Sequence, residues 1–449
     1  MPHKIAIVGS GIAGLSVAHA LRGQAEITLF EAGTHFGGHA HTVEVSLPTP
    51  DGPVRHGVDT GFLVFNERTY PRLIRLFEEL GVRTAPPDMS FSVQARSGGH
   101  ELEWSGSSLA TVFAQRRNLL RPRFWGMLAD LLRFNRLCTR IAQAGDEVAL
   151  REPLGTFLQV NGFSDAFRDW YLLPMLGCIW SCPTEQMLRF PVATMIRFCH
   201  NHGLLQVNDR PQWFTVAGGS RQYVERIVDG VDHPRLCTPV LGVQRQPGGV
   251  RVLTAAGSER FDEVVLACHA EQSLQLLGAS ASPEERAVLG AVRTQPNVAV
   301  LHTDERVLPR RRAVWAAWNF EGQADGRERV CLHYLINRLQ PLPWTQPVIV
   351  SLNPVGEIDP AKVLGRYDYA HPVFDQAAID AQARLPALQG RLHTWFSGAW
   401  TGYGFHEDGL AAGQRVAEAL LPRLSRAPLQ LVDRKSTRLN SSHGYISYA

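Results

Sequence analysis

Lysine is almost missing from this chain. Only Lys4, Lys362 and Lys435 occur, so nearly all of the 45 basic side chains are arginines. Lysine is the basic residue that readily shifts its pKa on burial and serves as a base or Schiff-base amine; such chemistry has three places at most. Cysteine is sparse and scattered. Of the seven present, Cys178 and Cys182 lie four apart rather than as a CxxC, and no second pair completes a zinc set. The expectation is buried free thiols and no metal site. No run is long and apolar enough to cross a bilayer. No leader precedes the strand that begins at Lys4, so a cytoplasmic location is expected. The net charge of +3 makes no case for nucleic acid as the main partner. A second GxGxxG is absent as well.

What is present begins with size. At 449 residues, 45% hydrophobic and 19% charged, the chain reads as globular and holds two or three domain-sized units. Its most informative stretch is the start. Lys4 to Val8 is a short apolar, β-prone run. Gly9-x-Gly11-x-x-Gly14 follows at once, with Ala13 inside it. Leu15, Ala18 and Leu21 then repeat at helical spacing, and a second strand ends on Glu31. This is the βαβ dinucleotide fingerprint in its required context. Gly9 permits the tight turn, Gly11 lets backbone approach a pyrophosphate, and Gly14 lets helix and strand pack closely. The helix start offers free N–H groups and a positive dipole end. Glu31 suits a ribose hydroxyl and repels a 2′-phosphate.

After Glu31 the chain reads Ala-Gly-Thr-His-Phe-Gly37-Gly38-His39-Ala-His41-Thr42. A Gly pair shortly after the acid resembles the extended FAD fingerprint of the flavin amine oxidase and phytoene desaturase superfamily. Here His39 stands where that pattern has Arg. The resemblance covers most of residues 4–425. It implies FAD as cofactor and an α/β fold: a Rossmann-like FAD-binding domain, with a parallel sheet and helices on its faces, and an α+β substrate domain built from two insertions. The expected boundaries are FAD-binding segments 1–85, 212–282 and 386–428, a helical insertion 86–211, and an antiparallel-sheet insertion 283–385. Residues 433–449 have no helical or strand period. They resemble a translated sequencing adapter and are expected to be disordered.

The resemblance also assigns positions. Val58 to Phe65 reads as a strand, and the family places it beside the flavin ring, bringing Gly61 and Phe62 to the cofactor. Val240 meets the adenine through its backbone. The strand Arg260–Ala267 closes the nucleotide sheet. Leu392–Trp400 is a strand ending in Gly398 and Ala399. It leads to a helix whose start, at His406 and Glu407, meets the flavin pyrimidine. Trp400 sits where the family often has an acid. Predicted flavoproteins with Gly-Gly-His-x-His-Thr and Gly-Phe-His-Glu-Asp-Gly are the nearest resemblance, and these are often linked with cyclopropane or methyl-branched fatty-acid enzymes.

The insertions carry the substrate question. Strands are expected at Phe91–Arg96 and His100–Trp104, then helices from Leu109 to Ala144 broken near Pro122. Seven arginines between 116 and 140 face one acid, Asp130, with apolar residues interleaved. Such a stretch can lie peripherally on an anionic membrane surface; it also fits a solvated arginine face over an ordinary core. Strands are expected at Asn297–Leu301, Ala313–Trp318, Arg329–Leu335 and Val348–Leu352.

With one GxGxxG, a nicotinamide-fed reductase is disfavoured and an oxidase or desaturase favoured. Family amine oxidases place a Lys beside the flavin; Asn297 holds that position here, and Lys362 lies in a Pro-containing loop. This turns the expectation toward a small hydrophobic substrate such as an acyl chain or terpenoid, with a true amine oxidase as the alternative. A non-catalytic escort protein of the same fold, binding lipidated partners, is the reading from another class. His406, next to two acids, is the candidate base, or it caps the last helix.

Overall fold

The computed structural model describes residues 2–97, 100–146, 150, 152–181, 183–206, 210–323 and 330–424. Cys182 and the adapter-like tail lie outside them. A five-stranded parallel sheet forms one half of the molecule, in the order His233–Arg235, Glu26–Phe30, Lys4–Val8, Glu263–Leu266, Thr394–Phe396. Alternate residues bury on opposite faces: Ile5, Ile7 and Ile27 in one core, Ala6, Val8 and Phe30 in another. Both faces are covered, so these strands read as continuous apolar runs.

Helices Ile12–Ala20 and His406–Leu424 lie side by side on one face. Glycine makes their approach: a Cβ on Gly413 would run into the Ala13 carbonyl oxygen. The Ser16 hydroxyl donates to the Leu410 carbonyl at 2.8 Å, locking the pair.

The other half is a seven-stranded sheet: Val363–Pro372, Thr294–His302, Ile349–Leu352, Cys331–Leu335, Trp318–Gln323, Phe91–Ser97, His100–Ser105. All neighbours pair antiparallel except Trp318–Gln323 with Phe91–Ser97. Helices between residues 109 and 201 pack on one face and share a large apolar core with it. The two strands expected early in the 86–211 segment, Phe91–Ser97 and His100–Ser105, join this sheet, and the helices follow them.

Three expected strands end differently. The run from Val58 stops at Asp59. There the backbone leaves the ribbon paired with Thr42–Thr49 and follows the Gly-Gly loop, through Thr60 N–H to His41 O and Phe62 N–H to His39 O. The Arg260–Ala267 run breaks at Asp262 into two strands. The Asp262 carboxylate accepts from Lys4 N–H at 2.8 Å, switching the chain from a three-stranded meander into the central sheet. Ala313–Trp318 is not a strand. Arg310 N–H and the Arg311 guanidinium bind the buried Glu103 carboxylate, and a short 3-10 turn carries the chain back to Trp318. The strand Val363–Pro372 was not foreseen at all.

Candidate functional site

A cavity of about 1470 Å³ runs between the two halves. Single small-molecule sites usually occupy about 300–1,000 Å³, so the space exceeds one modest ligand. Its nucleotide-sheet end is lined by Gly9, Gly11, Ala13, Glu31, Gly38, His39, Gly61, Phe62, Val240, Gly398, Ala399 and His406. Gly14, Gly37 and Glu407 do not line it. Gly14 backs the turn, where a Cβ would collide with the Gly9 carbonyl oxygen. Gly37 is the brace between two loops: its N–H donates to the Ser10 carbonyl and hydroxyl, both at 3.1 Å. Glu407 points elsewhere and caps a neighbouring helix, accepting from Arg72 N–H at 2.9 Å and Leu73 N–H at 3.0 Å.

Backbone and a single acid build the cradle. Gly9 has φ +102°, and a Cβ there would sit 2.9 Å from the Ala267 oxygen. A Cβ at Gly11 would meet no protein atom within 4 Å, so that side faces the cavity. One Glu31 oxygen accepts from Ser10 N–H at 3.0 Å and the Ser10 hydroxyl at 2.5 Å; among the described residues the other accepts from Gly33 N–H alone, at 2.8 Å. Each carboxylate oxygen has two lone pairs, so the second retains acceptor capacity for a sugar hydroxyl.

The middle of the cavity is a cluster of rings. His39 stacks on Tyr369 at 4.9 Å and lies 5.1 Å from His371. Its Nε2 is buried without a hydrogen-bond partner among the described residues. His371 Nδ1 accepts from Asn297 Nδ2 at 2.8 Å, which leaves its proton on Nε2. The Tyr369 hydroxyl meets Thr60 Oγ1 at 2.7 Å and His41 Nδ1 at 3.1 Å. Burial lowers the pKa of these imidazoles: His41 and His371 to about 4, and His39 well below its ordinary value. At neutral pH the cluster is uncharged.

His406 starts the last helix. Its ring stacks on Phe62 at 3.7 Å, and its Nε2 lies 2.7 Å from the Tyr223 hydroxyl. Burial brings its pKa down to about 3. An imidazole so reluctant to hold a proton, with one nitrogen engaged by a buried phenol, orients its neighbours better than it collects protons at pH 7.

Beyond the rings the lining turns apolar, with Leu128, Leu131, Met175, Phe198, Val350 and Leu352 among it. Lys4 pairs with Glu26 at 3.3 Å and Lys362 with Asp304 at 3.4 Å; neither lines the cavity. Asn297 is buried behind His371 rather than facing the space. Asp59, on the run expected beside a ligand, is instead a buried knot. Its carboxylate accepts from Thr42, the Ser220 amide and hydroxyl, and Gln340, and burial raises its pKa to about 6.

Tyr369, His371 and His269 line the cavity without any expectation from the sequence, and Trp400, standing where an acid is frequent in the resembling family, lines it too. The first two lie on a strand with a partial signal: Val363, Gly365 and Tyr367 alternate with the exposed Leu364, Arg366 and Asp368, and Tyr369 and His371 continue the same register. Away from the cavity, three groups of ligand type, Glu321, Cys331 and His333, also come together, with ligand atoms within 4.8 Å of one another. Cys331 and His333 share one strand face at i, i+2, which spacing rules for metal sites overlooked. His333 Nε2 donates to the Glu321 carboxylate at 3.0 Å and its Nδ1 lies 2.7 Å from the Ser351 hydroxyl, so the group is held by hydrogen bonds within the sheet.

Fold and cradle together define an α/β protein with a Rossmann-like parallel sheet and an inserted second domain. Residues 7–80 match the model of the NAD(P)-binding Rossmann-like domain family. A search of curated protein sequences gives no match. Solved structures give many. Cyclohexylamine oxidase from Brevibacterium oxydans superposes with a TM-score of 0.66 at 17% identity, over 95% of this chain and 100% of its own. A fatty acid isomerase from P. acnes that produces CLA gives 0.63 at 16%, over 94% and 98%. A protein from Exiguobacterium assigned as a protoporphyrinogen oxidase gives 0.64 at 17%, over 94% and 99%. The chain therefore has the two-domain fold shared by these proteins over essentially its whole described length.

Proposed function

We propose that this protein is an FAD-dependent oxidoreductase that removes hydride from a hydrophobic substrate, as an oxidase or desaturase. One observation carries the reading: a single cavity joins a glycine-rich nucleotide cradle to an apolar chamber without a lysine among its described lining residues. Among the structural neighbours, two are named as oxidases, one of them of an amine, and one as a fatty acid isomerase, so their names support oxidoreductase chemistry and leave both an acyl and an amine substrate in view.

The residues fit the cofactor. The amide-bearing starts of helices Ile12–Ala20 and His406–Leu424 both border the cavity, offering one positive dipole end to a pyrophosphate and another to a developing anion. Glu31 has an acceptor free for the ribose. The unpartnered His39 Nε2 sits in the wall between cradle and chamber, where a ligand polar atom would satisfy it. When bound, the flavin supplies the acceptor for a substrate hydride and passes the electron pair on to dioxygen or a quinone. The chain's own part is to orient and to exclude water. Phe62, Tyr369 and His371 wall the reacting region. His371, with its proton fixed on Nε2 by Asn297, is the group placed to hold a hydrogen bond there. Neutral imidazoles keep the ring cluster uncharged, and the aliphatic lining beyond it suits an apolar chain, although Asp88, Arg210 and Asp368 also border the cavity.

Purification tests this directly. The protein should be yellow, and anaerobic addition of acyl lipids should bleach it faster than simple amines. Rapid bleaching by cyclohexylamine or putrescine would establish the amine oxidase alternative. A colourless protein that takes up no FAD would establish a binding role of the escort kind.

A further inference from the structure

The arginine-rich stretch of the insertion presents an apolar surface that nothing in the described chain covers. Leu120 is 88% exposed, Leu109 79%, Trp125 50% and Leu119 47%. Isolated exposed leucines are ordinary, but a cluster ringed by one sign of charge marks an interaction site. The cluster is held in place. Trp125 Nε1 donates to the Leu119 carbonyl at 3.0 Å, and Phe113 packs on the indole at 5.1 Å. With its N–H satisfied inside the protein, the indole can leave water without stranding a donor.

Charge decides what the surface meets. Arg116, Arg117 and Arg123 are exposed around the cluster and Arg121 partly so. Asp130 is the one acid between residues 106 and 144, and it is engaged by Arg133 at 2.9 Å and Ser164 N–H at 2.9 Å. Partial burial, then the nearby Arg117, lowers the pKa of Arg121; the like charges sit closer than either prefers. A surface dense in anions relieves that repulsion and accepts the leucines and tryptophan beneath it. A protein partner would need a matching acidic rim around an apolar pocket, whereas a bilayer supplies both layers without any fixed shape.

The other side of the same region leads inward. Helix Pro122–Ala144 turns Leu128, Leu131 and Asn135 into the cavity, and the exposed Gly106 and Ser107, a few residues before Leu109, border it. The surface and the cavity thus share one wall. We propose that this face docks on an anionic lipid bilayer and sets the cavity rim at Gly106–Ser107 against the acyl layer, from which the substrate chain enters. This deepens the reading of a hydrophobic substrate and rests on it for the identity of what enters; the docking itself does not.

The test is flotation of the intact protein with vesicles of phosphatidylcholine alone or mixed with phosphatidylglycerol. Recovery with the mixed vesicles should exceed that with phosphatidylcholine at least tenfold at low salt and fall steeply as salt rises. Leu120→Ser with Trp125→Ser, and separately Arg117→Glu with Arg121→Glu, should each lower it about tenfold while the melting temperature stays unchanged. Equal recovery with and without vesicles overturns the proposal. So does a concentration-dependent dimer that Leu120→Ser abolishes in a protein that does not float, which would assign the face to a second copy. The outcomes separate from the cofactor reading: a colourless protein that floats sinks only the flavin, and a yellow one that does not float sinks only the docking.

Discussion

The two ends of the cavity are built by different means. The cradle is made of backbone, glycines and one carboxylate; Gly9, Gly14, Gly37 and Gly38 are held by close approaches of the chain, and Gly11 leaves its side open to the cavity. The chamber is made of side chains: stacked rings near the cradle, then aliphatic residues from helices and sheet. A backbone site fixes its ligand class through geometry that few sequences satisfy. A side-chain chamber fixes polarity and volume, which many sequences satisfy. The cradle should therefore fail abruptly when altered, and the chamber gradually.

The largest effect belongs to the cradle. Gly14→Val places a side chain against the Gly9 carbonyl oxygen, where not even a Cβ fits. Overpacking of this kind costs about 1–3 kcal/mol or more, here concentrated on the pyrophosphate turn. Flavin content, read as the ratio of visible to protein absorbance, should collapse; full retention would contradict the turn's role.

Next comes the knot that ties the halves. Asp59→Asn turns an amide donor toward hydroxyls and amides that now donate to the carboxylate. Each buried group left unsatisfied costs about 1–3 kcal/mol, so the melting temperature should fall by many degrees. Tyr223→Phe is milder. It strips one partner from the buried His406 Nε2, for an expected loss of about 1–3 kcal/mol by denaturant titration.

Acidity probes the ring cluster. His41, His202 and His371 have pKa values lowered to about 4, and His406 to about 3, chiefly by burial. Between those values and about 6.5 the unfolded chain binds more protons. Their stability is present above that upper value and is lost as pH falls through the lower ones. Asp59 and Asp408, raised to about 6 by burial, work the other way and offset part of it. With more imidazoles than acids, the apoprotein should melt at lower temperature as pH drops from neutral toward 4.5; a rise would contradict the placement of the rings. The smallest effect is expected at Lys362→Met. Its ion pair with Asp304 is half-exposed, and Arg306 also holds that carboxylate. Pairs of this sort contribute about 0–1 kcal/mol, and turnover should not change.

The same contrast explains what the amino-acid sequence made legible. Glycine at Gly9, Gly11 and Gly38 is a local requirement, so the cradle could be read one residue at a time. Glu31 could be read from its distance to that turn. The chamber depends on register between distant strands. Tyr369 faces His39 only because Val363–Pro372 pairs with Thr294–His302, and Gly365, Asp368 and Pro372 disguise that strand as a loop. Nothing local marks the role of Asp59 in its apolar run; its four donors come from residues up to 281 positions away. Glu407 followed the helix start correctly but could not reveal that its side chain caps a neighbouring helix. His39 in place of an arginine makes sense only beside Tyr369 and His371, where a stacking ring fits a wall of rings.

The central claim is that the cradle holds FAD and the chamber holds an apolar chain. Anaerobic titration of the purified holoprotein with phospholipid acyl chains and with cyclohexylamine, followed through the flavin's visible band, tests it most directly. Bleaching by the lipid and little by the amine is the expected result. Bleaching by the amine alone, or a protein with no flavin band to bleach, would contradict it.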